Sequence, residues 1–143
     1  MAVSMKKVYE MLNKVFLIKN NIVLSNVLNQ LLIDASCRDE KLVNSTRDLA
    51  REIERAVWEH GVVHHPHVGR IFAFEVDGYG SYYAIDDANI PSVLSLPYLG
   101  FVSTKDLTYE HTRNFLFSDK NPFYFKGSKG RGIGSQHTGI VSC

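Results

Sequence analysis

The chain has 143 residues, 45% of them hydrophobic, and carries 16 Lys and Arg against 15 Asp and Glu. That is enough for one globular domain with a real core, and so even a balance of charge leaves no global field to draw nucleic acid or an anionic membrane. Cys37 lies in a helical stretch and Cys143 is the last residue, which forms neither a disulfide framework nor a metal-ligand spacing and leaves the redox compartment open.

At the start, "MAVSMKKVYEMLNKVFLIKNN" places lysines on both sides of short apolar patches and never offers an unbroken signal-peptide core. No run approaches the roughly 20 apolar residues of a membrane span. Val8, Met11, Leu12, Val15 and Phe16 recur at helical spacing and predict a first helix. A second is predicted in "NNIVLSNVLNQLLIDAS", where Ile22, Val23, Leu24, Val27, Leu28, Leu31 and Leu32 cover so wide an arc that both flanks must be buried.

The third predicted helix runs from about residue 39 to residue 60, with Asp39 and Glu40 favouring its start and Leu42, Leu49, Ile53, Ala56 and Val57 as its stripe. Gly61 suits a left-handed residue closing it. "VVHHPHVG" then reads as a turn around Pro66 and Gly69, and "RIFAFEV" and "SYYAI" flank "DGYG" as a β-hairpin. "PSVLSLPYLGF" is compatible with a short helix from Pro91 to Gly100, interrupted near Pro97. Ser103 with Asp106 makes a capping-box-like start for "KDLTYEHTRNFLF". Beyond Asn121 and Pro122 the Gly-rich tail has no apolar period and reads as a loop. About five helices and one hairpin, without strand–helix alternation, predict a mainly α chain with a small β-hairpin.

Several clusters could carry chemistry. His60, His64, His65 and His67 crowd together, but Gly61 and Pro66 splay them away from a tetrahedral zinc geometry, and an exposed helix-to-strand loop is the better reading. "KGSKGRGIGS" alternates glycines with Lys126, Lys129 and Arg131, yet it has no GK[ST] and no helix follows to receive a phosphate. There is no G-x-S-x-G elbow for a nucleophilic serine.

Asp86, Asp87 and Asn89 leave two readings open. One of them could cap a helix beginning at Ile90 and Pro91. Two carboxylates and an amide beside Tyr79, Tyr82, Tyr83 and Tyr98 are equally the groups that bind sugar hydroxyls and stack on sugar faces. The two aspartates are not an inverting acid/base pair, which stands about 6.5–9.5 Å apart across the sugar. Consecutive Cα atoms are about 3.8 Å apart and, in a strand, their side chains point to opposite faces. At most one of them meets the substrate at a given place, and the other orients a neighbour or caps.

"GRIFAFEVDGYGSYYAIDDANIPSVLSLPYLGF", "TRNFLFSDKNPFYFKG" and "GIGSQHTG" together strongly resemble glycoside hydrolase family 125, the metal-independent exo-α-1,6-mannosidases of bacteria and fungi. The likeness covers about residues 16 to 138. It implies an (α/α)6 toroid, of which this chain is a part, and inverting removal of terminal α-1,6-linked mannose without metal or other cofactor. The partner implied is a mannose-containing oligosaccharide. Carried over, Asp86, Asp87 and Asn89 match the family's DDxN element, and Ser135 and His137 its GSxHT element, all lining or supporting the mannose cleft.

By the same resemblance the general acid belongs to an FRPSDD-like motif just upstream of "FLIKNN" and the base to a HESF-like motif well downstream. Neither motif occurs in these residues. A twelve-helix toroid needs on the order of 200 residues, so residues 1–143 are expected to be an incomplete domain, a middle section with atypical ends from a mis-spliced gene model, an intron read-through or a genuine fragment. The expectation is a mannosidase fragment that is inactive alone and exposes apolar helix faces. The alternative is a non-catalytic carbohydrate- or partner-binding helical module.

Overall fold

The computed structural model describes residues 16–17, 22–28, 40–87, 89 and 91–135. In chain order these form strand β1 (Phe16–Leu17), helix α1 (22–28), helix α2 (Glu40–His60), strands β2 (Val62–His65), β3 (Gly69–Phe72), β4 (Glu75–Val76) and β5 (Tyr82–Tyr83), a 3₁₀ turn (Val93–Ser95), helix α3 (Leu107–Leu116), and strands β6 (Tyr124–Lys126) and β7 (Arg131–Ile133). The described chain is mainly helical with small antiparallel sheets, ordered β1-β4-β5, β2-β3 and β6-β7.

The helix expected over Val8 to Phe16 lies outside the described residues, except that Phe16 is in β1, where it pairs with Val76. Helix α2 matches its sequence pattern closely. Its buried side, however, is Ala50 and Val57, while Leu42 and Leu49, read as part of the stripe, are exposed. The same holds for α1, where Ile22 and Ser25 are buried but Leu24 is 47% and Val27 49% exposed. Among the described residues of α1, the covered flank is the one that carries Ile22 and Ser25.

Gly61 does not take the left-handed conformation expected of it, since the positive-φ glycines are Gly69, Gly78, Gly80 and Gly100. Its N–H still closes the helix on the Val57 carbonyl at 2.8 Å, but its own carbonyl accepts from Ala73 N–H at 2.9 Å. Pairing with the next strand, rather than a C-terminal cap, decides the path. The chain passes directly from α2 into a hairpin.

That hairpin replaces the expected loop. Val62 pairs with Phe72, Val63 with Ile71, His64 with Arg70 and His65 with Gly69. The sequence VVHH lacks the polar/apolar alternation of an exposed strand, and what holds it is β3, whose Ile71 and Phe72, with Ala73 and Phe74 just after, are all buried. Helix α3 packs on β3, and Thr112 joins them by accepting from Phe72 N–H at 2.8 Å while donating to the Thr108 carbonyl at 2.6 Å.

The "DGYG" hairpin forms as expected, β4 pairing with β5. Asp77 builds its loop by accepting from the N–H groups of Tyr79 at 2.8 Å and Ser81 at 3.0 Å, and those bonds, the one from Tyr79 foremost, hold its carboxyl below the usual carboxylate range. Gly78 and Gly80, at φ 75° and 101°, occupy backbone that side chains rarely adopt.

Of the expected helix in "PSVLSLPYLGF" only the 3₁₀ turn forms, and the chain then turns to Gly100, whose φ of 74° suits its place at the end. The cap of α3 is Asp106, which accepts from Tyr109 N–H at 3.0 Å; Ser103 instead accepts from Lys105 N–H. The Gly-rich tail is not all loop. Tyr124, Phe125 and Lys126 pair with Ile133, Gly132 and Arg131, and Phe125 lies over Gly132, where an added Cβ would come within 3.1 Å of its ring. Three rings, Trp58 of α2, Phe72 of β3 and Phe101 beyond the 3₁₀ turn, meet at centroid distances of 5.2 to 6.1 Å and join the layers.

Candidate functional site

After β5 the chain runs Ala84 and Ile85 into Asp86 and Asp87, which are 0% and 3% exposed. A buried carboxylate is costly unless it is hydrogen-bonded. Asp86 Oδ2 accepts from Ser92 Oγ at 2.5 Å and from Leu94 N–H at 3.2 Å, and Ser92 Oγ in turn accepts from Leu94 N–H at 3.0 Å. The carboxylate thus caps the 3₁₀ turn together with Ser92, its local N-cap residue. One fully buried carboxyl group shares the capping of the turn.

Tyr109 closes this side by donating to the Leu94 carbonyl at 3.0 Å. Burial, with Asp86 adding to it and Arg113 opposing, pushes its hydroxyl above the ordinary tyrosine value. A surface hollow of about 380 Å³ along α3 is lined by Thr104, Lys105, Tyr109, Glu110 and Arg113 and includes none of the candidate residues.

Asp87 turns to a different partner. It accepts from the side-chain amide of Asn89, and at 3.4 Å from the Asn89 backbone N–H. Asn89 Oδ1 accepts from Ser135 Oγ at 3.2 Å, across 46 residues of sequence. The structure therefore brings Asp87, Asn89 and Ser135 into one hydrogen-bonded row, with Asp86 beside it but committed to the turn. His137 lies outside the described residues.

Sequence reasoning does not place Asn121 among the site residues: it stands there as the boundary of the Gly-rich tail and within the family-like stretch "TRNFLFSDKNPFYFKG". Asn121 is 1% exposed. Its side-chain amide donates to the carbonyls of Asp86 at 3.0 Å and Leu116 at 3.1 Å, and its Oδ1 accepts from the N–H groups of Phe123 at 3.3 Å and Asp86 at 3.5 Å. An Asn–Pro pair after a helix is the available sequence signal, but it does not say what the amide meets.

The aromatics that the sequence put near this site are exposed, Tyr79 at 80% and Tyr98 at 91%, with Tyr83 at 55%. Of the clustered histidines, His60 ends α2 while His64, His65 and His67 sit on the β2–β3 hairpin, where the His65 ring centroid lies 4.8 Å from that of Phe115 and 5.8 Å from that of His67. Among the described residues no group of three His, Cys, Asp or Glu side chains is placed to hold a metal ion.

Residues 11–143 match the family described as metal-independent alpha-mannosidase, GH125. The chain belongs to glycoside hydrolase family 125. Over 114 residues, 79% of this family 125 chain, it is 45% identical to the meiotically up-regulated gene 157 protein of Schizosaccharomyces pombe, of which it spans 22%. It is also similar to a solved metal-independent α-mannosidase of Streptococcus pneumoniae in a non-productive complex with α-1,6-mannobiose, with a TM-score of 0.78 and 31% identity over 85% of this chain and 30% of the other. The family 125 chain thus spans less than a third of either relative.

Proposed function

We propose that these residues are the substrate-holding part of an inverting exo-α-1,6-mannosidase, in which Asp87, Asn89, Ser135 and His137 hold the terminal mannose and Asp86 supports them. What supports this most is the row Asp87–Asn89–Ser135, which joins the DDxN and GSxHT elements although they are far apart in sequence. Carboxylate and amide oxygens presented together accept from vicinal hydroxyls, with the carboxylate forming the stronger, charge-assisted bonds. The exposed tyrosines, close to the row in sequence, offer ring faces to a sugar.

Hydrolysis with inversion needs a protonated acid at the leaving oxygen and a base activating water across the ring. Asp86 is occupied with the 3₁₀ turn and Asp77 with its own loop, and neither is placed for that pair. The 143-residue chain is therefore expected to release no mannose from α-1,6-mannobiose, whereas a version extended to contain both FRPSDD-like and HESF-like segments is expected to hydrolyse it without added metal. Chelator-insensitive release by the short chain, abolished by Asp87→Ala, would overturn this division of labour. Asp87→Asn in the extended version should weaken mannobiose binding and turnover. Unchanged affinity and turnover would remove Asp87 from the site and leave it as a turn residue, whose bonds to Asn89 are worth about 1 kcal/mol when lost.

A further inference from the structure

We infer that Asn121 is a positioning residue that closes a ring of bonds around the sugar-holding row and sets the distance between its two halves. The inference rests on the mannoside reading for what the row binds, but not for the ring itself. From Asp86 the ring passes through the Asn121 side chain to Phe123, whose N–H donates to Asn121 Oδ1 at 3.3 Å. The Phe123 carbonyl accepts from Gly134 N–H at 2.7 Å. Gly134 precedes Ser135, which donates to Asn89, and Asn89 donates to Asp87, next to Asp86.

Each half of the row is otherwise tied to a different part of the fold. Asp87 and Asn89 follow from β5, and Ser135 follows from β7. The Asn121 amide is the piece that touches both strands of this path: it donates to Asp86, takes the Phe123 N–H, and anchors both to the end of α3 through the Leu116 carbonyl. No other side-chain type of this size offers two donors and an acceptor in one plane. With the amide 1% exposed, water does not replace a bond that is lost, so the cost falls on the geometry of the ring.

Asn121→Asp keeps the shape and replaces the donor pair with an oxygen facing two carbonyls. In the 143-residue chain, amide NMR resonances of Asp86, Asp87, Asn89, Gly134 and Ser135 should shift or broaden, while those of α2 and the β2–β3 hairpin stay in place. Thr112→Val is the control: it removes a buried bond between α3 and β3 and should lower the melting temperature without moving the ring resonances. Perturbation in Asn121→Asp confined to Leu116, Asn121 and Phe123 would overturn the inference. So would an equal response of the ring to Thr112→Val.

Titration with α-1,6-mannobiose then separates this inference from the mannoside reading. Where the unmodified chain binds, Asn121→Asp should weaken affinity at least tenfold and Thr112→Val less than twofold; the reverse order overturns the positioning role. Where the unmodified chain shows no saturable shift at Asp87, Asn89 or Ser135, the mannoside reading fails for this chain, and the resonance comparison still decides the ring. If Asn121→Asp has no folded state, Asn121→Ser takes its place. If neither folds, hydrogen exchange in the unmodified chain decides: Asp86 and Phe123 amides as protected as those of α3 support the ring, and exchange as fast as the Gly127–Gly130 tip overturns it.

Discussion

The region from β2 to β7 and the two helices before it are held in different ways. Between β2 and β7, buried apolar side chains such as Ile71, Val93, Leu96 and Leu116 are accompanied by buried polar ones, Asp86, Thr112 and Asn121, whose bonds reach across the fold. Helices α1 and α2 are tied to each other by Ser25 Oγ, which donates to the Ala50 carbonyl at 3.1 Å. They dock on this region with one side only, through Ile22, Val57 and the Asn26 amide donating to the Leu99 carbonyl at 2.5 Å, and turn Leu24, Val27, Leu42 and Leu49 outward. Polar bonds of the first kind demand one geometry, because a buried group that loses its partner is costly. An apolar helix face accepts any complementary apolar surface. The site grows where the geometry is demanding.

The sharpest way to break this contrast is to cut a cavity on each side of it. Ile71→Ala, at a residue with no exposure, should cost about 3 kcal/mol in denaturant unfolding, whereas Leu42→Ala, at 57% exposure, should change stability by less than about 0.5 kcal/mol. Equal losses would mean that α2 is as fully packed as β3. Thr112→Val should cost about 1–2 kcal/mol by leaving Phe72 N–H unsatisfied, measured in the same way.

Next in size is the helix cap. Asp106→Ala should destabilise by about 1 kcal/mol, since it strips the acceptor from Tyr109 N–H, while Ser103→Ala should have a smaller effect because Ser103 only serves Lys105 N–H. A larger loss at Ser103 would restore the sequence-based capping assignment. Replacing Leu24, Val27, Leu42 and Leu49 together with Lys should leave the β2–β7 region folded and reduce self-association in sedimentation, because the change removes exposed apolar surface. Unchanged association would place the sticky surface elsewhere.

The smallest effects follow from titration. Tyr109 has its pKa raised, so the folded state holds that proton more tightly than the unfolded chain does, and stability should fall as pH rises above about 10. His65 has its pKa lowered, by burial first and then by Lys120, His67 and His64. The unfolded chain then binds the proton more readily, so stability should drop as pH falls below about 6.5 towards the lowered folded value. Tyr109→Phe and His65→Gln should flatten the alkaline and acid limbs respectively.

Local chemistry by itself determined much of this protein. Helix α2 was legible over nearly its whole length because its period and end signals act within a turn or two, and the DGYG hairpin was legible because Asp77 and two glycines build that loop from neighbours in sequence. The DDxN and GSxHT elements were legible as candidate site residues by resemblance. Only the tertiary structure decided that VVHH becomes a strand, since β3 and the buried residues following it supply its partner, and that part of the Gly-rich tail pairs with Tyr124–Lys126. It also separated the roles of Asp86 and Asp87, adjacent and chemically identical, by giving one to the 3₁₀ turn and the other to Asn89. The Asn121 amide meets Asp86 across 35 residues, and no periodicity records such a partner: a hydrogen bond is satisfied by whatever group the folded chain brings within reach.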